Sequence, residues 1–189
     1  DDLSIEIKPH EACDCEFETW NDTVKRLDSE LQKKEKEALD IIDQTAKRHR
    51  RHKKIVYVST GKDSMVMLDL VKRRLQKIQI YFNNTTLDVA DVYKMVKKHK
   101  NWNIINPDMG FYQYVKHYNF IPTRISRGCC SIFKEREGMY NFNKDDRICF
   151  FMGIRNDESL TRANRTDFEK NPLWGDKNWI SCLPIRTYS

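Results

Sequence analysis

The stretch Val56-Tyr57-Val58-Ser59-Thr60-Gly61-Lys62-Asp63-Ser64 decides the fold. Its first residues are β-branched or aromatic and predict a short buried strand, and a helical pattern begins soon after them. Where a strand enters a helix through a short polar loop, the free N–H groups of the first turn and the helix dipole attract an anion. Gly61 lets the backbone approach that anion, Ser59 and Ser64 offer hydroxyls, and Lys62 adds a cation. The stretch therefore predicts an anion site at the carboxyl edge of a sheet.

The alternation of strand and helix continues on the carboxyl side of this stretch. The predicted strands are 55–59, 78–83, 103–105, 147–153 and 179–183, and the predicted helices are 65–75, 89–99, 110–118, 131–140 and 160–168. Strands separated by helices of this length favour right-handed βαβ units. The predicted fold class is therefore α/β, a single doubly wound domain whose mostly parallel sheet carries helices on both faces.

The amino-terminal side of the stretch has a different pattern. Residues 1–54 are predicted to form an arm and a long helix, and residues 55–189 the α/β domain. The helix carries a narrow apolar stripe that suits packing on the domain or on a second subunit. It ends in the basic run Lys47–Lys54. Two interpretations of that run stay open: a solvated helix terminus whose cations suit the dipole, or a patch that faces phosphates or nucleic acid.

Composition excludes several classes of protein. The chain has 189 residues, with 34 Lys and Arg against 28 Asp and Glu, which gives a net charge of +6. Phe, Tyr and Trp number 9, 8 and 4, more than a disordered chain would carry. No apolar run reaches the ~18–20 residues of a membrane helix, and no signal-peptide pattern opens the sequence. We therefore expect a globular, cytoplasmic protein with reduced thiols and no membrane contact.

The loop resembles that of the PP-loop adenine-nucleotide enzymes, which reads S-G-G-K-D-S. That group includes sulfonucleotide (PAPS and APS) reductases, ATP sulfurylase small subunits, DndC-type DNA phosphorothioation sulfurtransferases and tRNA thiolases. The resemblance covers about residues 55–189, and Thr60 replaces the first glycine. It implies an adenine nucleotide alpha hydrolase-like fold whose loop holds the phosphates of the nucleotide. The matching residues are Ser59, Thr60, Gly61, Lys62, Asp63 and Ser64.

Two further stretches resemble the same family. Residues 84–88, NTTLD, are similar to a D-T-x-x-x-x-E-T region that approaches the base and ribose, with Thr85 and Asp88 as candidate contacts. Without the family, this stretch predicts a helix cap formed by Asp88. Residues 153–159, GIRNDES, resemble the G-x-R-x-x-E-S loop of PAPS reductase-like members, which implies that Gly153 and Arg155 lie at the nucleotide. The alternative is a surface loop with an Arg–Glu pair.

The adjacent Cys129 and Cys130 are the candidate metal ligands of this sequence. Their stretch resembles the R-x-C-C-x-x-x-K segment of iron–sulfur members of the family, in which the tandem cysteines supply two cluster ligands. A typical cluster needs four thiolates, so Cys149, Cys182 or residues outside this sequence would have to complete the set. Redox-active or sulfur-carrying thiols without a metal, and plain packing, stay open as alternatives.

The resemblance implies an ATP-using enzyme whose catalytic residues are Lys62, Asp63 and Arg155. Lys62 and Arg155 would stabilise the departing pyrophosphate, and Asp63 would help to hold Mg²⁺. The activated acceptor would then receive sulfur from a donor. One alternative is a PAPS or APS reductase that works with a thioredoxin-like reductant; that reaction needs a cysteine on a C-terminal tail, and none follows Cys182. Another is a non-catalytic module that binds a nucleotide or a nucleic acid.

The end of the sequence and the assembly complete these expectations. Residues 179–189 resemble the segment that closes the domain in these relatives, where the chain usually continues into a further helix. We therefore expect a truncated or partly observed protein at Ser189. We also expect a homo-oligomer or a part of a larger complex.

Overall fold

The computed structural model describes residues 19–123, 128–136, 141–143, 145–159, 162–170 and 178–188. The chain divides into two units, Asp1–Lys33 and Lys34–Ser189. Helix α1, Trp20–Arg48, supplies almost all the described residues of the first unit and the opening residues of the second. Its predicted existence and length are confirmed.

The second unit alternates strands and helices. The strands are β1 Lys53–Val58, β2 Gln79–Asn83, β3 Trp102–Ile105, β4 Ile148–Met152, β5 Phe168–Glu169 and β6 Trp179–Cys182. After α1, the helices are α2 Lys62–Arg74, α3 Ala90–Lys98, α4 Phe111–Tyr118 and α5 Gly128–Cys130, which continues as a π-helical turn, Ser131–Arg136. The alternation follows the sequence prediction, with boundaries that move by one to three residues for most elements.

The six strands form one sheet in the order β3-β2-β1-β4-β6-β5. All neighbouring strands are parallel except β5, which pairs antiparallel with β6. The chain moves outward from β1 to β2 and β3, then crosses to the other side of β1 and continues with β4. The strand order therefore reverses between β1 and β4, and open α/β sheets bind their ligands at such a switch point, beyond the carboxyl ends of the strands.

The larger core lies on one face of the sheet, under α1, α2 and α3. Ala38 and Ile42 of α1, Val71 of α2 and Val96 of α3 are buried there against alternate residues of the strands. Burying an aliphatic or aromatic side chain of this kind contributes about 1.5–3 kcal/mol. Ion pairs at the rim join α2 to α1, among them Arg74 Nε to Asp43 Oδ2 at 3.6 Å.

The other face of the sheet carries an aromatic cluster. Phe150 of β4 stacks on Tyr57 of β1 with ring centroids 5.5 Å apart, and Trp179 and Phe142 meet Phe150 edge to face. Towards the carboxyl end of β2, the amide of Asn83 donates to the carbonyl of Lys134 at 2.9 Å, which brings the π-helical turn to this face. The predicted α/β class, with a mostly parallel sheet and helices, is confirmed.

The predicted helix at residues 160–168 is wrong where the structure describes it. Residues 162–164 form a turn, and Phe168 and Glu169 form the edge strand β5, opposite Cys182 and Ser181 of β6. Tertiary contacts of Phe168 explain why this segment is a strand. Phe168 packs against the larger core and lies under the Arg48 guanidinium, 5.5 Å from the ring centroid, and pairing with β6 outweighs a weak helical pattern.

No helix in the described part of the chain is long and apolar enough to cross a membrane.

Candidate functional site

The loop between β1 and α2 is closed by its own hydroxyl groups. The Ser64 side chain, buried in the first turn of α2, accepts the backbone N–H of Ser59 at 3.2 Å and lies 3.2 Å from the Ser59 hydroxyl. The Ser64 hydroxyl donates to the carbonyl of Gly61 at 2.8 Å. These bonds turn the chain from strand to helix within a few residues, at the carboxyl edge of the sheet.

The amino terminus of α2 keeps its backbone donors available. Gly61 is the N-cap residue, in an extended conformation, and no side chain caps the helix. Uncapped amides at a helix start bind anions, and the helix dipole adds to the attraction. The Lys62 side chain is exposed beside them and makes no ion pair with the residues that the structure describes.

Thr60 occupies an unusual backbone conformation within this loop. Its φ is 61°, in the left-handed region that favours glycine and disfavours β-branched residues. The glycine of the resembled loop would adopt this angle without strain. Thr60 therefore keeps the loop geometry at an energetic cost of the kind that concentrates at functional sites.

Gly153 brings the end of β4 into direct contact with the start of α2. A Cβ atom at Gly153 would lie 2.8 Å from the carbonyl oxygen of Asp63 and 2.9 Å from the Cα of Ser64. Both neighbours are backbone atoms, so no side chain could move aside. The glycine is required for this close packing, which sets residues 153–155 against the amino terminus of α2.

Arg155 reaches the loop because of that packing. Its Nε lies 3.4 Å from Oδ2 of Asp63, and its Nη1 lies 3.6 Å from Oδ2 of Asp157. The Arg155 side chain is only 22% exposed, and its buried Nε has no hydrogen-bond partner in the described chain. A buried guanidinium N–H without a hydrogen bond is costly even beside the Asp63 carboxylate, which makes this group a ready donor to an anion.

Glu158 fixes the loop that carries Arg155. Its carboxylate accepts the backbone N–H of Arg155 at 3.2 Å and pairs with the guanidinium of Arg162. Burial opposes the charged form, but the backbone bond from Arg155 and the contact with Arg162 outweigh it and lower the pKa of Glu158. The carboxylate is therefore ionised near neutral pH and holds the loop in place.

Thr85 and Asp88 lie beyond the carboxyl end of β2, the strand next to β1. The Thr85 hydroxyl donates to Oδ2 of Asp88 at 2.8 Å. Thr86 has a positive φ of 60°, and its Oγ1 accepts the N–H of Phe111 at 2.8 Å. The alternative role of Asp88 as a helix cap is wrong: the N-cap of α3 is Val89, without a side-chain bond, because Asp88 is engaged by Thr85.

Asn83 lies outside the predicted site residues, and Asn84 belongs to the predicted stretch 84–88 without a predicted contact of its own; both organise this edge. The Asn84 side chain accepts the N–H of Thr86 at 2.9 Å and the hydroxyl of Tyr93 at 3.0 Å. Asn83 holds the π-helical turn through the carbonyl of Lys134. The signal that could have identified both is the position of two amides at the end of an otherwise apolar strand.

The four described cysteines fall into two pairs. Cys129 and Cys130 are half-buried in α5, directly before the turn that Asn83 holds at the sheet edge. Cys149 and Cys182 are fully buried in β4 and β6. Burial raises the pKa of the Cys149 thiol to about 12, with a smaller opposing effect from Lys54, and burial also raises the pKa of Cys182.

These positions decide what the described thiols can ligate. Among the described residues, no three His, Cys, Asp or Glu side chains are arranged to hold a metal ion. Cys149 and Cys182 therefore do not join Cys129 and Cys130 in one ligand set, and the described residues do not fit a four-thiolate cluster. The role of Cys129 and Cys130 as cluster ligands stays a prediction that would need ligands from elsewhere.

Comparison with known proteins finds similarity over most of the chain. Residues 53–189 match the family model described as the phosphoadenosine phosphosulfate reductase domain. Two uncharacterized proteins of Methanocaldococcus jannaschii, MJ0066 and MJ0973, are 30% and 27% identical to the chain over 97% and 89% of its length. The chain spans 39% and 42% of those relatives, about two fifths of their length.

A solved structure shares the fold. It is the phosphate complex of phosphoadenylyl-sulfate (PAPS) reductase from Candida auris, with a TM-score of 0.60 over 92% of this chain and 83% of that one. The sequence identity is 12%, so the similarity concerns the architecture.

Proposed function

The chain belongs to the phosphoadenosine phosphosulfate reductase domain family, and we propose that it binds ATP at the β1–β4 switch point and releases pyrophosphate to activate an acceptor. The activated acceptor is then a substrate for sulfur transfer. The site consists of the β1–α2 loop, residues 59–64, and the β4 loop at Gly153 and Arg155. Thr85 and Asp88, beyond the neighbouring strand, face the base and ribose in this proposal.

One observation carries the proposal: the packing of Gly153 on the backbone of Asp63 and Ser64. This contact sets the Arg155 guanidinium, whose buried Nε has an ion pair with Asp63 but no hydrogen bond in the described chain, beside uncapped helix amides. Fixed amides and a forked guanidinium together form a receptor for phosphate oxygens. The phosphate held by the structurally similar PAPS reductase from Candida auris also favours a phosphate ligand for this fold.

The named residues divide the chemistry between binding and charge stabilisation. The α2 amides and Lys62 hold the terminal phosphates, and Arg155 neutralises the charge that develops as the acceptor oxygen attacks the α-phosphorus. The bond between the α-phosphorus and the bridging oxygen breaks, and pyrophosphate leaves with that bond's electron pair. Fixed cations contribute most where charge increases in the transition state.

Mg²⁺ fits this site through Asp63. Magnesium is commonly held by one or two carboxylates together with substrate phosphates and water, so a closed protein cage is not required. The Asp63 carboxylate is 26% exposed and contacts only Arg155 among the ion pairs of the described chain. Bound there, Mg²⁺ would supply Lewis-acid charge at the phosphates, and Asp63 would exchange part of its contact with Arg155 for the metal.

The alternative is a sulfonucleotide reductase that binds PAPS or APS at the same loop. The family description favours a sulfonucleotide as the ligand. The described thiols favour it less, because Cys149 and Cys182 are buried with raised pKa values and are poor nucleophiles. A reductase would depend on Cys129, Cys130 or a thiol from a partner such as a thioredoxin-like reductant.

Titration calorimetry with ATP, APS and PAPS, followed by an assay of pyrophosphate release with Mg²⁺, tests the proposal. We expect Arg155→Gln and Lys62→Gln each to reduce pyrophosphate release by about a hundredfold or more. Lys97→Gln, which removes an exposed charge from α3, serves as the matched control and should leave release unchanged. Undiminished release in the loop variants would overturn the proposal, and sulfite formation from PAPS or APS without ATP turnover would establish the alternative.

We also propose a sulfur donor as partner, assembly as a homo-oligomer or in a larger complex, and a cytoplasmic location. The four described cysteines are unpaired, as is usual in a reducing compartment.

A further inference from the structure

The edge of the sheet opposite the nucleotide site contains a cavity. It has a volume of about 340 Å³ and lies between the turn before β1 and the paired strands β5 and β6. The residues that line it are His52, Phe168, Glu169, Lys170, Asn178, Trp179 and Ile180. His52 precedes β1 and Asn178 precedes β6, and these strands are parallel to each other through β4. The cavity is therefore at the amino-terminal edge, away from the β1–α2 loop.

The lining combines flat apolar walls with polar groups. Phe168 and Ile180 are half-buried and supply apolar surface, whereas Trp179 is 1% exposed and its ring packs in the aromatic cluster; Asn178 and Lys170 are exposed and supply an amide and a cation. The carboxylate of Glu169 is already engaged by Arg165 Nη1 at 2.7 Å, so it adds little free negative charge. Pockets for small ligands are about 300–1,000 Å³, so this cavity suits one small planar group such as a nucleobase.

Exposed cations lie in the chain segments next to His52, which lines the cavity. Arg50 and Arg51 lie in the turn after α1, and Arg147 directly precedes β4; all three are exposed and make no ion pair with the described residues. Arg48 lies over the Phe168 ring at the cavity wall. Of the nearby described acids, Asp146 is bound by Lys53 at 2.7 Å, while Asp145 is exposed and has no ion pair within the described chain. Among the described residues, this edge therefore presents three free arginines against one free carboxylate.

The helix terminus does not account for these cations. The amine of Lys54 donates to the carbonyl of His49 at 2.5 Å and to that of His52 at 2.7 Å, so one partly buried lysine already satisfies the turn that follows α1. The pKa values of His49 and His52 are lowered, first by burial and then by neighbouring cations that include Lys54. Arg50 and Arg51 remain available to a partner outside the chain.

We propose that this amino-terminal edge binds single-stranded nucleic acid, with phosphates on Arg50, Arg51 and Arg147 and one unstacked base in the cavity. Neutralising phosphates with arginines releases counterions and gives a salt-dependent affinity. A single strand can place a base in a side cavity, whereas the bases of a duplex are stacked and paired. The excess of cations over the whole chain, +6, also favours a polyanion.

Fluorescence anisotropy with labelled oligonucleotides of about ten residues tests this inference on the full chain. Single-stranded RNA, single-stranded DNA and the duplex are compared over a range of salt concentrations. The double variant R50A/R51A should bind single strands about tenfold more weakly and reduce the salt slope by about 1.4, the expectation for two lost phosphate contacts. The matched control K97A/K98A removes two exposed lysines from the last turn of α3 and should bind as the wild type does.

A second substitution separates base recognition from charge. Asn178→Ala removes the cavity amide and should weaken single-strand binding several-fold with no change in salt slope, while Asn101→Ala on another exposed turn has no effect. Equal losses in R50A/R51A and K97A/K98A, equal affinity for duplex and single strand, or binding of anionic vesicles in place of oligonucleotides would each overturn the proposal. ATP binding measured in R50A/R51A should be unchanged. This measurement therefore distinguishes a loss of oligonucleotide binding from a loss of ATP binding at the β1–α2 loop.

Discussion

At the scale of the residue, two threonines hold left-handed backbone angles. Thr60 and Thr86 have φ values of 61° and 60°, and each follows a parallel strand at the carboxyl edge of the sheet. The Oγ1 of Thr86 has a structural task, because it accepts the N–H of Phe111. Thr60 has no comparable bond in the described chain. No hydrogen bond of Thr60 within the described chain therefore offsets the backbone strain, as expected of a residue whose role is to bind a ligand.

Replacing Thr60 by glycine should stabilise the protein. The left-handed region costs a residue with a Cβ about 1–2 kcal/mol, and the greater freedom of glycine in the unfolded chain offsets about 0.5–1 kcal/mol of that. We expect Thr60→Gly to raise the free energy of unfolding, measured in urea, by about 0.5–1 kcal/mol. Thr86→Gly is the matched control and should give no gain, because it also removes a hydrogen-bond acceptor. A stability loss in Thr60→Gly would contradict the assignment of strain.

Several site residues could be predicted at this scale and others could not. The loop residues 59–64 and Arg155 were identified from sequence because their types suit anion binding and because they follow strands. The close contact of Gly153 with α2 depends on how two distant segments pack, and no local pattern contains it. The roles of Asn83 and Asn84 could not be predicted for a similar reason, since they depend on hydrogen-bond partners elsewhere in the chain.

At the scale of the element, the junction of β4 with α2 positions the site. Gly153 lies against two backbone atoms, whereas a Cβ at Gly61 would come no closer than 3.5 Å to the Ser59 hydroxyl. Gly153 is therefore needed for the packing of β4 on α2, whereas Gly61 leaves room beside the helix amides.

Gly153→Ala should damage both stability and binding. The new methyl group would force β4 and α2 apart, and overpacking of this kind costs about 1–3 kcal/mol. We expect the free energy of unfolding and the ATP affinity to fall together. Gly61→Ala should keep or slightly raise stability, since its extended backbone accepts alanine. If Gly153→Ala unfolds at the same urea concentration as the wild type, the junction is not the constraint described here.

The strands β4 and β6 also protect two thiols. At about pH 8, a thiol with a pKa of about 12 is ionised in about one molecule in ten thousand, and the thiolate is the reactive form. We expect iodoacetamide to label Cys129 and Cys130 in the folded protein while Cys149 and Cys182 stay unmodified, with peptide mass spectrometry as the readout. Because burial raises the pKa of Cys149 and Cys182, labelling of these two thiols increases with pH. Labelling is complete in denaturant, where the thiols are exposed. Rapid labelling of Cys149 under native conditions would contradict the buried placement.

The sequence predicted most elements but not the edge strand. The spacing of apolar residues predicts α1 to α4 and the parallel strands, because apolar side chains recur at regular intervals along each of these elements. The pattern near Phe168 is weakly helical, and β5 exists only because β6 offers a free edge and the core accepts one aromatic ring. Such an element depends on contacts that a local pattern does not contain.

At the scale of the whole molecule, the parallel sheet separates two surfaces of different character. The carboxyl edge collects the β1–α2 loop, Arg155 and the residues beyond β2, and we propose that it holds ATP. The amino edge collects arginines next to a cavity, and we propose that it holds a single-stranded nucleic acid. The five parallel strands account for this division, because their carboxyl ends meet at one edge of the sheet and their amino ends at the other. In the longer relatives MJ0066 and MJ0973, the region similar to this chain is part of a larger chain.

A crystal structure of the full chain grown with Mg²⁺ and a non-hydrolysable ATP analogue would show whether ATP binds between the β1–α2 loop and Arg155. We predict density for phosphate oxygens within about 3 Å of the first α2 amides and of the Arg155 guanidinium, with the base towards Thr85. An analogue bound elsewhere, or first-turn amides of α2 that carry no phosphate density at saturating nucleotide, would contradict it.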